Sequence, residues 1–202
     1  MDPGAIRAKF GDDYFATEPT FLMVIDRRLT ERIAERFRGR RVLETCTGAG
    51  FTTIALASVA AHVITVEIDA AHQAQAKQNI GQARLVDRVT FVLGDVLDER
   101  VFNSLPPVDA AFLDPDWAVT GPGHVHHFVR STTRPPADRL LERTLQATRN
   151  VALVLPPRLD LRELDGLPPH ERQELYLEGS HELYCLYFGE LVVSVGRTEL
   201  RI

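Results

Sequence analysis

Cysteine is nearly missing from this chain: Cys46 and Cys185 are the only two in 202 residues. That is too few for a disulfide scaffold and suits a reducing compartment. Long hydrophobic runs are missing too, which excludes a membrane span. The opening Met1-Asp2-Pro3-Gly4 has none of the charged-then-apolar character of a secretory signal. A cytoplasmic protein with no membrane partner is therefore expected. An excess of basic charge is also lacking. With a net charge of −5, the whole surface cannot grip a polyanion, so any nucleic-acid partner must meet a local basic group. No internal repeat or low-complexity linker interrupts the chain. The residues that are present, 45% hydrophobic and 25% charged, suffice for one α/β domain with a sizeable core.

The periodicity alternates. Leu22, Ile25, Leu29, Ile33 and Phe37 recur three or four apart, predicting one apolar helix face over residues 20–37, with Pro19 in the first turn. Short apolar strands are predicted at 41–45, 62–68, 88–93, 109–114 and 151–155. Helical segments at 51–60, 70–85 and 137–150 separate most of them. This order implies a mostly parallel sheet with helices on both faces. After residue 170, "RQELYLEG" and "ELYCLYFGEL" flank a Gly-Ser turn with no helix between, which reads as a closing antiparallel hairpin. Seven strands are expected in all. Residues 1–40 form an N-terminal segment and helix packing on a domain of 41–202.

Ligands of open parallel sheets bind beyond the carboxyl ends of the strands. The first such end is "ETCTGAG", where Glu44 precedes a turn whose Gly48 and Gly50 allow close backbone approach. At the second end Glu67 stands about where an acid takes ribose hydroxyls in dinucleotide folds. The third carries Asp95, suited to accept a hydrogen from an exocyclic amine, or simply to form a turn. The fourth is Asp114-Pro115-Asp116-Trp117, which contains the only tryptophan. A nicotinamide fingerprint wants a third glycine, and counting from Gly48 puts Thr53 there.

The pattern resembles instead a class I S-adenosylmethionine-dependent methyltransferase, which implies a single-domain Rossmann-like fold. By that resemblance Glu44, Gly48 and Gly50 meet the methionine end of the cofactor, Glu67 the ribose and Asp95 the adenine. "DPDW" is similar to the Asn/Asp/Ser-Pro-Pro-aromatic motif of amine methyltransferases. There Asp114 and the Pro115 carbonyl would orient the acceptor amine, and Trp117 would stack on the base. A narrower resemblance covers roughly residues 10–191. "DDYFATEP", "DPDW", "LVLPPRLDL" and the terminal Tyr187-Phe188-Gly189-Glu190-Leu191 are similar to segments of the trimethylguanosine synthase family, the RNA cap guanine-N2 methyltransferases. It implies an RNA or nucleotide substrate, and Phe15 and Thr17 closing over the cofactor. Asp116 stands where that family has its second proline, and Ala118-Val119 where it has two glycines. Little chain precedes residue 10, where eukaryotic members carry an extension.

Between Trp117 and Pro135 lie His124, His126, His127, Arg130 and Arg134. They read as a mobile loop in which His124 and Arg130 meet substrate phosphate, or as a plain solvated loop. No cysteine accompanies the histidines, so no metal is assigned. Cys46 is read as a small turn residue. Three other readings stand beside the purine-amine one: another small amine acceptor, an inactive nucleotide- or RNA-binding module, and a nicotinamide-dependent oxidoreductase. The oligomeric state is left open.

Overall fold

The computed structural model describes residues 2–117 and 124–202. Two compact units share the chain, Met1–Leu105 and Pro106–Ile202.

In the first unit, three short helices precede the sheet: α1 (Pro3–Phe10), α2 (Glu18–Met23) and α3 (Arg27–Ala34). The single helix expected over 20–37 is broken. Val24 is extended, and the Asp26 carboxylate accepts the Arg28 N–H at 2.9 Å, starting α3 afresh. An aspartate that can cap a helix outcompetes continuation through it. A single 3-10 turn, Glu35–Phe37, completes the predicted apolar face from Ile25 to Phe37, whereas Leu22, before the break, is 74% exposed and lies off it. Strands β1 (Arg41–Thr45), β2 (His62–Glu67) and β3 (Val89–Leu93) pair in parallel in the order β3-β2-β1. Helix α4 (Phe51–Val59) joins β1 to β2, and α5 (Ala70–Gln82) joins β2 to β3. Val42, Leu43, Ile64, Leu56 and Ile80 are buried together as the core. Helix α6 (Glu99–Ser104) ends the unit.

In the second unit, β4 (Ala110–Leu113) and β5 (Val151–Leu155) are parallel and fully buried, with α7 (Ala137–Leu145) between them in sequence. Burial on both faces explains why these strands read as unbroken apolar runs. The expected hairpin is β6 (His170–Leu177) and β7 (Ser180–Phe188), antiparallel, with β7 also antiparallel to β5. Its turn is Glu178-Gly179 rather than Gly-Ser. Both residues have positive φ, 51° and 86°, as a two-residue turn matching strand twist requires. An eighth strand, β8 (Gly196–Arg201), lies beyond the seven expected and runs parallel to β6. Its alternating charges hid it: Arg197 and Arg201 flank Glu199, and Arg197 also pairs with Glu174. No helix among the described residues is long and apolar enough to cross a membrane.

Candidate active site

The ends of β1, β2 and β3 gather the first group of predicted residues. Glu67 closes β2 and is 6% exposed. Its Oε2 accepts the Gly48 N–H at 2.8 Å and its Oε1 the Asp69 N–H at 2.9 Å. Each carboxylate oxygen keeps a second lone pair for a further donor. The glycines differ in duty. A Cβ on Gly50 would press on Ala76 of α5 at 3.0 Å, whereas one on Gly48 would meet nothing within 4 Å. Gly50 therefore serves packing, and Gly48 borders open space. Glu44 is 1% exposed and accepts the Thr53 hydroxyl at 2.6 Å. The residue that spoils the nicotinamide fingerprint is thus a hydrogen-bond donor that no glycine could replace.

Asp95 is exposed, and its Oδ1 accepts the Leu97 N–H at 2.8 Å. Ile68 and Leu93, next to Glu67 in chain and in register respectively, are 69% and 54% exposed. Large apolar side chains left in water at two adjacent strand ends offer apolar surface that a ligand could cover. Sequence reading missed both, because each looks like ordinary strand composition. Thr17 caps α2, its Oγ1 accepting the Thr20 N–H, and Phe15 exposes half its ring while its backbone is hydrogen-bonded to α5. A cavity of about 330 Å³ in the same unit is lined by Phe10, Tyr14, Ile25, Glu31, Phe51 and Ile54 among others. It involves none of the strand-end acids.

In the second unit, β4 delivers Asp114, Pro115, Asp116 and Trp117. Burial first, and the neighbouring Asp116 carboxylate second, push the Asp114 carboxyl up to about 7. Pro115 is buried and Asp116 exposed. Asp116 exchanges both backbone hydrogen bonds with Arg134, at 2.9 and 2.8 Å. The proline found here in the resembled family has no N–H to give, so Asp116 adds a tether that the motif otherwise lacks. Trp117 is half-buried, and its Nε1 is buried without a partner among the described residues.

The described part of the following loop is anchored rather than free. His126 pairs by backbone with Arg158 and Asp160, and Glu163 accepts the N–H groups of Phe128 and Val129 at 2.7 and 2.9 Å. Ala118-Val119 lie outside the described residues. His124 sits edge-on to His126 at 4.6 Å, and burial, then His124, lowers the pKa of His126. Arg130 is exposed, its backbone N–H donating to Asp138 at 2.9 Å. His127, Asp160 and Glu163 bring their ligand atoms within 4.8 Å of one another. Each already has a protein partner: His127 bonds Glu163, and Asp160 grips Arg162. These bonds anchor the loop to the segment 160–163.

Comparison with known proteins points one way on reaction class. Residues 39–191 match the family described as RNA cap guanine-N2 methyltransferase. A catechol O-methyltransferase of Mycobacterium tuberculosis is 38% identical over 87 residues, 42% of this chain and 40% of that protein. One of Niastella koreensis is 32% identical over 95 residues, 44% of this chain and 43% of its own length. The chain thus spans less than half of those relatives. Among solved structures, a protein of Porphyromonas gingivalis W83 provisionally described as a methyltransferase superposes with a TM-score of 0.74. That match has 18% identity and covers 95% of this chain and 48% of the other. An O-methyltransferase of Bacillus cereus in complex with SAH gives 0.51 at 23% identity, covering 65% and 57%.

Proposed function

Because the chain belongs to the RNA cap guanine-N2 methyltransferase family, we propose that it methylates an exocyclic purine amine, guanine N2 or its like, in RNA or a free nucleotide. The structural neighbours carry the Rossmann-like α/β fold, and the family membership supports S-adenosylmethionine-dependent methyl transfer. The acceptor is the proposal.

The strand ends of the first unit fit the cofactor on three counts. Open space stands before Gly48, Glu67 has spare lone pairs, and Ile68 and Leu93 offer apolar surface beside the exposed Asp95. In this reading Glu67 accepts the ribose hydroxyls and Asp95 the adenine amine. Ile68 and Leu93 flank the base, and the turn from Glu44 to Gly50 borders the methionine end under Phe15 and Thr17. When bound, S-adenosylmethionine supplies an electrophilic methyl on a sulfonium. The protein's task is to aim a weak nucleophile at it. An aryl amine's lone pair is delocalised, and Asp114 with the Pro115 carbonyl would accept both N–H hydrogens. That would orient the nitrogen and stabilise the positive charge growing on it. The surplus proton that methylation would leave on the nitrogen would pass through Asp114 to water.

One observation carries the acceptor reading. The Trp117 indole N–H, three residues after Asp114, is buried and has no partner among the described residues. A buried unpaired donor costs about 1–3 kcal/mol until an acceptor reaches it. An indole that is half-buried yet unsatisfied suits a base stacked on its face better than a closed core.

A second reading has support of its own. Two relatives are catechol O-methyltransferases, and a carboxyl near 7 suits removal of a hydroxyl proton. Incubation with S-adenosylmethionine and, separately, 7-methylguanosine, guanosine, capped and uncapped RNA and catechol decides between them by mass spectrometry. Methylated guanine is expected. Methylated catechol alone would replace the amine reading, and no product from any acceptor would favour an inactive binding module. Trp117 fluorescence reports binding in the same tubes, with quenching by a stacked purine expected.

A further inference from the structure

Helix α5 carries three amide side chains along one face, Gln75, Asn79 and Gln82, at helical spacing. All three bond to the backbone of residues 13–15. Gln75 Nε2 donates to the Phe15 carbonyl at 3.0 Å, and Gln82 Nε2 to the Asp13 carbonyl at 3.3 Å. Asn79 does more. Its Oδ1 accepts the Phe15 N–H at 2.9 Å while its Nδ2 donates to the Phe15 carbonyl at 2.9 Å, as a neighbouring strand would. The same Nδ2 donates to the carbonyl of Ala49, between Gly48 and Gly50, also at 2.9 Å. Asn79 is fully buried, and both amide hydrogens are spent. One side chain thus fastens the N-terminal segment and the glycine turn to each other.

The apolar packing repeats the link. Phe10 stacks on Phe51, the first residue of α4, with centroids 3.8 Å apart, and Tyr14 meets Phe51 edge-on at 5.7 Å. Phe10, Ala49 and Phe51 form a small cluster of their own, with Ala16 and Phe21 against it. An apolar residue at position 79 could make none of these hydrogen bonds. An amide that exhausts its donors on Phe15 and Ala49 sets position instead.

We propose that Asn79, assisted by Gln75, is a positioning residue that holds the segment around Phe15 over the glycine turn, so that cofactor binding and docking of that segment are coupled. This rests on the reading that the cofactor occupies the turn before Gly48. Linkage makes the effect reciprocal: a cofactor that needs the docked segment must also stabilise it. Asn79→Ala should weaken S-adenosylhomocysteine binding by about 5- to 150-fold, the usual span of such coupling. In the wild-type protein the ligand should slow amide exchange at Tyr14 to Thr17.

The test combines calorimetry with S-adenosylhomocysteine and residue-resolved hydrogen exchange, on wild type, Asn79→Ala, Gln75→Ala and Glu67→Ala. The expected result is weakened binding in Asn79→Ala, fast exchange at 14–17 that the ligand slows less, and a smaller change of the same kind in Gln75→Ala. If Asn79→Ala fails to fold, Gln75→Ala decides. The proposal is overturned if segment 14–17 is loosened while affinity stays within about twofold, well below that coupling span, or if the ligand leaves wild-type exchange there unchanged. If Glu67→Ala weakens binding and Asn79→Ala does not, only the positioning role falls. If neither does, the assignment of the turn as the cofactor site falls with it.

Discussion

At Glu67 one carboxylate accepts the N–H groups of Gly48 and Asp69, so replacing it acts twice. Glu67→Ala removes the proposed ribose acceptor and frees the turn beside it. We expect cofactor affinity to fall by about tenfold to a hundredfold, the 1.5–3 kcal/mol usual for a charged hydrogen-bonding group. Calorimetry with S-adenosylhomocysteine checks it, and unchanged affinity would remove the ribose role. Asp114 gives a prediction in pH. Its carboxyl rises from the usual 3.8 to about 7 in the folded protein. The native state therefore holds a proton that the unfolded chain releases, and stability declines as pH climbs from about 4 to about 7. Asp114→Asn should change little at pH 4 and stabilise by about 1–3 kcal/mol at pH 8, read from denaturant midpoints. The wild-type methyl-transfer rate should rise through about pH 7, as the accepting carboxylate forms, and that of Asp114→Asn should not. Equal gains at both pH values would mean that the carboxyl is not held protonated.

Two glycines separate an element's structural from its functional duties. Gly189, in the terminal Tyr-Phe-Gly-Glu-Leu, has φ 64°, and an added Cβ would lie 2.5 Å from the Arg149 carbonyl oxygen. Glu190 then bonds Asn150 at 2.9 Å, and Asn150 bonds Asp109 at 2.9 Å, before β4 begins. The motif that resembles the family most closely at the end of the chain thus closes β7 against the turns leading into β4 and β5. Gly189→Ala should cost about 1–3 kcal/mol of stability through overpacking and strain, with cofactor affinity of the folded fraction intact. Gly48→Ala should do the reverse. Its Cβ meets no protein atom within 4 Å, so the left-handed backbone costs only about 1–2 kcal/mol, while cofactor affinity falls steeply. Melting curves paired with cofactor titration read both. Equal affinity losses in the two variants would contradict this division.

For the molecule as a whole, the net charge of −5 bears on how RNA is met. Each phosphate neutralised on a single strand contributes about −0.7 to the slope of log affinity against log salt. With Arg130, Arg134 and the histidines as the local basic groups of the loop after the acceptor motif, few phosphates can be neutralised. We expect a slope no steeper than about −2 for a capped oligonucleotide, and an affinity close to that of the isolated cap nucleotide. A steep slope in fluorescence titrations would reveal a basic surface that has gone unrecognised.

Strand count up to the hairpin, the order of the elements and the acids at the four strand ends were legible in the sequence, because buried parallel strands and glycine turns leave composition signatures that depend only on neighbours in the chain. The helix break at Asp26 was locally encoded, yet it was outweighed by an apolar period that runs straight across it. What tertiary structure alone decided involves distant partners. Thr53 donates to Glu44 from nine residues away, Asn79 reaches back to Phe15 from 64, and β8 finds β6, where Arg197 meets Glu174. Periodicity cannot show that an amide on one helix will take the place of a strand beside a loop. That depends on which backbone groups the fold leaves unpaired in the interior, and unpaired buried groups exist only once the chain has packed.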